Sequence, residues 1–178
     1  MDDRVSPDSL RAVMRRVPAT VAVLTASANG RKRGMTVGSF TSVSLDPILV
    51  SFNVGKNSTM HEIVMHADTM VVHLLREDQA HYSEHFAAPD LASELQFEGI
   101  NHSLLDDGTP VLSDTLAYVR CRKTAKYDAG DHSLIVAEVL EVVHQNEGEP
   151  LLYYNTHYRA IGEIRDELPG SSPNAPGA

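Results

Sequence analysis

Gly34-Met35-Thr36-Val37-Gly38-Ser39-Phe40-Thr41-Ser42-Val43-Ser44-Leu45-Asp46-Pro47 is the stretch on which the reading of this chain turns. Eight of its fourteen residues are Gly, Ser, Thr or Asp, yet apolar strand-like segments lie on both sides. A buried strand avoids so many small polar groups, because each desolvated hydroxyl needs a partner. Short side chains also let the main chain come close to a ligand. The run therefore reads as a segment whose amides and hydroxyls line a site for a flat, hydrogen-bonding molecule. Thr36, Ser39 and Phe40 are its candidate donors, with Met35 and Gly38 beside them.

Strand signals dominate outward from this run. Before it, Thr20 to Thr25 is rich in β-branched residues, and Asn29-Gly30 is a strong hairpin-turn signal. After it, Ile48 to Asn53 reads as a strand that breaks at Gly55. Met70 to Leu75, Leu116 to Lys126 and Ser133 to His144 follow as strands, the last two joined through Asp128-Ala129-Gly130. Leu151 to Ile161 is expected to close the sheet. Helices are few. Leu10, Val13, Met14 and Val17 keep amphipathic spacing between Pro7 and Pro18. Thr59 and Glu62 form a capping-box pair opening a helix through Met65, and Asp78 is placed to cap one reaching Phe86. Pro89 to Pro110 mixes helix and loop signals. The fold class expected is mainly β with peripheral helices, a barrel.

One domain over residues 1–165 and a disordered tail over 166–178, rich in Pro, Gly, Ser and Ala from Leu168 on, are expected. The net charge of -9 argues against general nucleic-acid binding. No apolar run approaches a membrane span, and the single Cys121 rules out an internal disulfide, so a cytoplasmic protein is expected. Cys121 in a strand pattern reads as core, and Asp106-Asp107 before Gly108 reads as turn chemistry.

Gly55-Lys56-Asn57-Ser58-Thr59 sets a lysine, two hydroxyls and free amides at the start of a helix. Such a terminus is an anion site by its unsatisfied N–H groups and dipole. A capped surface helix is the plainer alternative. Gly130-Asp131-His132 sits at a strand-to-strand turn, where a turn-forming Asp and a solvated His are the plainer alternative. Arg31-Lys32-Arg33 reads as a solvated turn, close enough to steer an anionic ligand.

These motifs, in this order from about Leu10 to Ile161, resemble the flavin reductase-like family, whose fold is the FMN-binding split barrel. The Gly34 to Pro47 run is similar to that family's flavin-binding segment. The resemblance implies that Lys56, Ser58 and Thr59 hold the flavin phosphate and that Phe86-Ala87 lie beside the flavin. It also implies that Asp131 and His132 of the Gly-Asp-His motif, with Tyr158 of the last strand, face the nicotinamide, His132 being the catalytic candidate. Asn53 is placed to reach the ribityl chain or ring edge. The activity implied is NADH- or NADPH-dependent reduction of free FMN or FAD, with reduced flavin supplied to a partner flavin-dependent monooxygenase. A homodimer is implied as well. Within the same fold the alternative is a protein that holds flavin tightly, for other chemistry or as a simple binder.

A rival motif is His81-Tyr82-Ser83-Glu84-His85, which matches the H-x-x-E-H pattern of inverted zinc proteases. On a helix, His81 and His85 would share a face. The pattern is short, nine histidines make chance spacings common, and no further carboxylate ligand is evident. No metal is expected.

Overall fold

The computed structural model describes residues 5–88, 91–93 and 95–162, so the expected tail lies outside the described residues. In chain order the elements are α1 (Pro7–Met14), β1 (Ala19–Thr20), β2 (Ala22–Ala28), β3 (Arg31–Val37), β4 (Thr41–Leu45), β5 (Ile48–Gly55) and α2 (Thr59–His66). Next come β6 (Thr69–Leu74), α3 (Ala80–Ala87), β7 (His102–Leu104), β8 (Pro110–Leu112), β9 (Ala117–Ala129), β10 (His132–His144), β11 (Leu152–Tyr154) and β12 (His157–Arg159).

β2 explains the apolar run that precedes the site. Every residue from Ala22 to Ala26 is buried, because alternate side chains of a strand enter different layers. Ala22, Leu24 and Ala26 join a core with Phe52, Met60, Val64, Met70 and Ile135. Val21 and Val23 instead meet Leu75, Phe86, Phe97, Leu112 and Leu151. α2 covers the first core and α3 the second.

Seven antiparallel strands form one sheet in the order β3-β2-β6-β9-β10-β5-β4. Its two edges, β3 and β4, are consecutive in the chain and linked only by Gly38, Ser39 and Phe40. Four peptide steps reach at most about 14 Å. The sheet must therefore curl until its edges nearly meet, giving a barrel with an open seam at residues 38–40. The expected mainly-β barrel with peripheral helices is what forms, and the polar run of the sequence is its seam.

Several local expectations are corrected. The helix of residues 10–17 stops at Met14 and buries none of its residues; Leu10, Val13 and Met14 all stay more than half exposed. The residues 20–25 strand breaks at Val21, whose backbone bonds Leu75 and Leu151. The cap of α2 is Ser58, not Thr59; its Oγ accepts from His61 N at 3.1 Å, which moves Glu62 out of capping-box register. Asp78 caps nothing. Arg76 donates to both its carboxylate oxygens, and Gln79 takes the N-cap position of α3. Residues 151–161 do not close the main sheet: β11 pairs with β1 on one side and β12 on the other in a separate three-stranded sheet. Asn29-Gly30 does turn the β2–β3 hairpin, both at positive φ (53° and 73°). Asp107 accepts from Thr109 N at 2.9 Å, as turn chemistry requires, and Cys121 is wholly buried. Burial pushes its thiol pKa up to about 12.

Candidate functional site at the barrel seam

β3 carries the site because its outer edge has no strand partner among the described residues. Gly34 N donates to Gln96 Oε1 at 2.8 Å, and Gln96 Nε2 donates back to Gly34 O at 3.0 Å. One side chain thus satisfies an edge that would otherwise be left unpaired. Gly34 is required by a neighbour as well. A Cβ there would lie 2.5 Å from Phe86 Cδ1 and 2.6 Å from Cε1.

Gly34 and Met35 form one wall of a hollow of about 200 Å³, and Phe86, Ala87 and Ala88 at the end of α3 form another. Asn57, Ser58, Thr59 and Met60, at the start of α2, close one end, and Arg33 lines it too. Three segments that are distant in sequence, all singled out above, therefore meet around one cavity. The N-terminal amides of α2 bring partial positive charge to it. Arg33 belongs to a run expected to be a solvated turn. It is instead a strand residue with 7% exposure, its guanidinium donating to Leu91 O. Its neighbours diverge: Arg31 pairs with Glu62, and Lys32 sits over the Phe97 ring.

Beside this hollow lies a second, of about 250 Å³, lined by Thr36, Gly38, Ser83, Ala87 and Tyr158 among others. Ala87 borders both. Ser83 organises the second hollow: its carbonyl accepts from Thr36 Oγ1 at 2.7 Å, and its Oγ accepts from the Tyr158 hydroxyl at 2.9 Å. Gly38 and Phe40 continue into a wider trough under α1 with Tyr153. Across the seam, Ser39 Oγ accepts from Asn53 N at 2.9 Å, bringing those two expected contacts together.

A third group sits at the β9–β10 turn. His132 pairs with Gly55 in the β10–β5 ladder. Its Nδ1 lies 2.8 Å from Asp131 Oδ1. A carboxylate can only accept, so Nδ1 carries the proton and Nε2 of the neutral ring has a free lone pair. This hydrogen bond draws the Asp131 carboxyl below the usual carboxylate range. Lys56 belongs to this group, not to the lining of the first hollow: its ammonium reaches Asp128 and donates to Gly130 O at 2.6 Å. Lys56 draws the Asp128 carboxyl down in the same way, first by that hydrogen bond. Tyr158, expected with His132 to face the nicotinamide, has Ser83 and the Tyr153 ring as its partners.

The histidines of the rival zinc motif have other partners. His85 Nε2 lies 2.7 Å from Gln96 O and so donates to it, and His81 packs on Tyr82. Among the described residues no three His, Cys, Asp or Glu side chains form a group suited to a metal ion.

The chain has counterparts among known proteins. The family model described as "Flavin reductase like domain" matches residues 14–162. The chain belongs to that family. An FMN reductase (NADH) of Agrobacterium fabrum is 41% identical over 133 residues, 75% of this chain and 74% of that protein. The reductase component of 4-hydroxyphenylacetate 3-monooxygenase from Thermus thermophilus is 35% identical, covering 86% of this chain and 96% of its own. The solved NADH:FAD oxidoreductase of Streptomyces globisporus, in complex with NAD and FAD fragments, superposes with a TM-score of 0.82 at 31% identity, over 92% of this chain and 99% of that one. The expected split barrel is thus the family's fold.

Sequence reasoning missed Gln96, Ser83 and the burial of Arg33. Gln96 lies in the mixed stretch before Pro110 and gave no signal. Ser83 sat inside the misleading histidine motif.

Proposed function

We propose that this chain catalyses NAD(P)H-dependent reduction of free flavin, FMN or FAD, and hands the reduced flavin to a flavin-dependent monooxygenase. The observation that carries the reading is the first hollow. It combines a close backbone approach at Gly34, the Phe86 ring, the amide-rich start of α2 and the buried Arg33 cation. A flat ring system with an anionic tail fits those surfaces. Hydride passes between two molecules that carry the redox chemistry themselves, so the protein's task is to bind, orient and exclude water.

Ser58 and Thr59, with the α2 amides, hold the flavin phosphate. The seam backbone at residues 36–40 supplies donors toward the ring edge. Asn53 N is already bonded to Ser39, so that pair acts by shaping the seam and presenting the Ser39 hydroxyl. Nε2 of His132 accepts from the nicotinamide carboxamide, its tautomer set by Asp131. Tyr158 shapes the second hollow through Ser83. Both FMN and FAD occur in the names of similar proteins, and a monooxygenase partner in one of them.

A second copy of the chain covers the exposed apolar face of α1 and the β4–β5 turn, where Leu10 is 57% and Leu45 76% exposed. Such a homodimer sediments at twice the chain mass. The function is tested by NADH and NADPH oxidation against riboflavin, FMN and FAD. Steady oxidation that scales with added flavin is the expected result, and a protein that leaves both nicotinamides untouched refutes it.

A further inference from the structure

The sequence offers Lys56 as a phosphate ligand, but its side chain is turned elsewhere. Asn57, Ser58 and Thr59 line the first hollow, and Lys56 does not. Its backbone N donates to Asp131 O at 2.9 Å. Its ammonium donates to Gly130 O at 2.6 Å and reaches the Asp128 carboxylate. Gly55, immediately before it, packs against the imidazole, so that a Cβ there would lie 3.7 Å from His132 Nε2. Residues 55 and 56 thus hold one face of the turn that carries His132.

That turn needs holding. Gly130-Asp131 is a two-residue hairpin tip between β9 and β10. It is exposed, with 80% of the Asp128 and 90% of the Asp131 side chain in solvent. Among the described residues, the hydrogen bonds tying Gly130 and Asp131 backbone carbonyls to another element both come from Lys56. Without the Lys56 ammonium this solvated tip would keep only the bond from Lys56 N and would be freer to reorient, and misplacing a contact by about 1 Å costs up to about a hundredfold in rate.

We propose that Lys56 is a positioning residue for hydride transfer: it fixes the Asp131–His132 turn against the phosphate-binding end of the flavin hollow. Flavin seated at residues 57–59 and nicotinamide met by His132 are then held in register by one lysine. This rests on the proposed function, in which His132 faces the nicotinamide.

Riboflavin separates the two roles, because it has no phosphate for a ligand lysine to hold. In stopped-flow reduction at saturating NADH, Lys56→Ala should slow hydride transfer about tenfold with riboflavin and FMN alike. Their dissociation constants should move less than about threefold. Asp128→Ala, a change at an exposed side chain, should slow both by about threefold, since it leaves the Gly130 bond in place. Lys56→Arg should recover part of the rate. A Lys56→Ala defect in FMN affinity that riboflavin escapes would make Lys56 a phosphate ligand and overturn the proposal. Normal hydride transfer in both variants overturns it equally. If Lys56→Ala does not fold, the Asp128→Ala rates alone decide. A parent protein that oxidises no NADH with any flavin rejects the proposed function itself, whereas an active parent with indifferent variants rejects only this role.

Discussion

Gly34→Ala is a severe test of the seam, because one methyl group is placed where there is no room. The added Cβ would stand 2.5 and 2.6 Å from two Phe86 ring carbons. Carbon atoms at optimal contact sit about 3.5–4.0 Å apart, so the ring must retreat by about 1 Å. It has little room to do so: Phe86 is 2% exposed, edge-on to His85 and 5.6 Å from the Phe97 centroid. Overpacking of this kind costs about 1–3 kcal/mol. For a chain of this size that is a fall in Tm of about 2–4 °C per kcal/mol. The ring also lines the first hollow, so FMN affinity should drop at least about tenfold in parallel. Urea unfolding should show a lower midpoint with an unchanged slope. Phe86→Leu removes the clashing ring atoms, so the Gly34→Ala/Phe86→Leu double variant should lose at least about 1 kcal/mol less than the sum of the singles. Additive losses, or a Gly34→Ala protein with parental stability and flavin affinity, would show that the close approach does not exist.

Three further outcomes follow from the same geometry. Gln96→Leu leaves the edge N–H and C=O of Gly34 unpaired, and each buried group costs about 1–3 kcal/mol; urea unfolding should report a loss of at least about 2 kcal/mol. Ser58→Ala removes the α2 cap, worth about 0.5–2 kcal/mol, and titration should show FMN weakened more than riboflavin; equal weakening removes Ser58 from the phosphate site. His73 is wholly buried, donates from Nδ1 to Val23 O, and accepts from Leu112 N at Nε2, and burial lowers its pKa from 6.5 to about 4. The unfolded chain therefore binds this proton first. The stability it contributes is complete above pH 6.5 and is lost as pH falls toward 4, about 3 kcal/mol in all; an NMR titration in which every imidazole charges near pH 6.5 would contradict it.

The fold was legible where period and punctuation agreed. Asn29-Gly30 marked a hairpin that forms, and the two long strands β9 and β10 appear within a few residues of their expected ends. The candidate site was legible as a set of motifs but not as an arrangement. Sequence placed Lys56 beside Ser58 and Thr59, yet the chain turns between Gly55 and Ser58, whose N bonds Gly55 O, and the lysine goes with the neighbouring hairpin while residues 57–59 line the hollow. Tyr158 was grouped with His132, whereas β12 joins a separate sheet and delivers it to Ser83. Pairings of this kind depend on contacts more than seventy positions apart, such as Tyr158 with Ser83, for which no local pattern exists. Gln96 is the extreme case, a lone side chain that completes a strand edge 62 positions away.

The seam also has a dynamic consequence. Inside the sheet, an amide proton is shielded by a neighbouring strand and exchanges with solvent only when much of the barrel opens. At Gly34 and Asn53 the shield is a single side-chain oxygen, from Gln96 and Ser39 respectively. One rotamer change uncovers each, so these two amides should exchange through small local fluctuations while Leu24 and Val72 in the interior strands stay protected. A bound flavin that presses on both lips of the seam would close those fluctuations. Deuterium uptake at residues 34 and 53 then becomes a residue-level gauge of occupancy, readable without turnover.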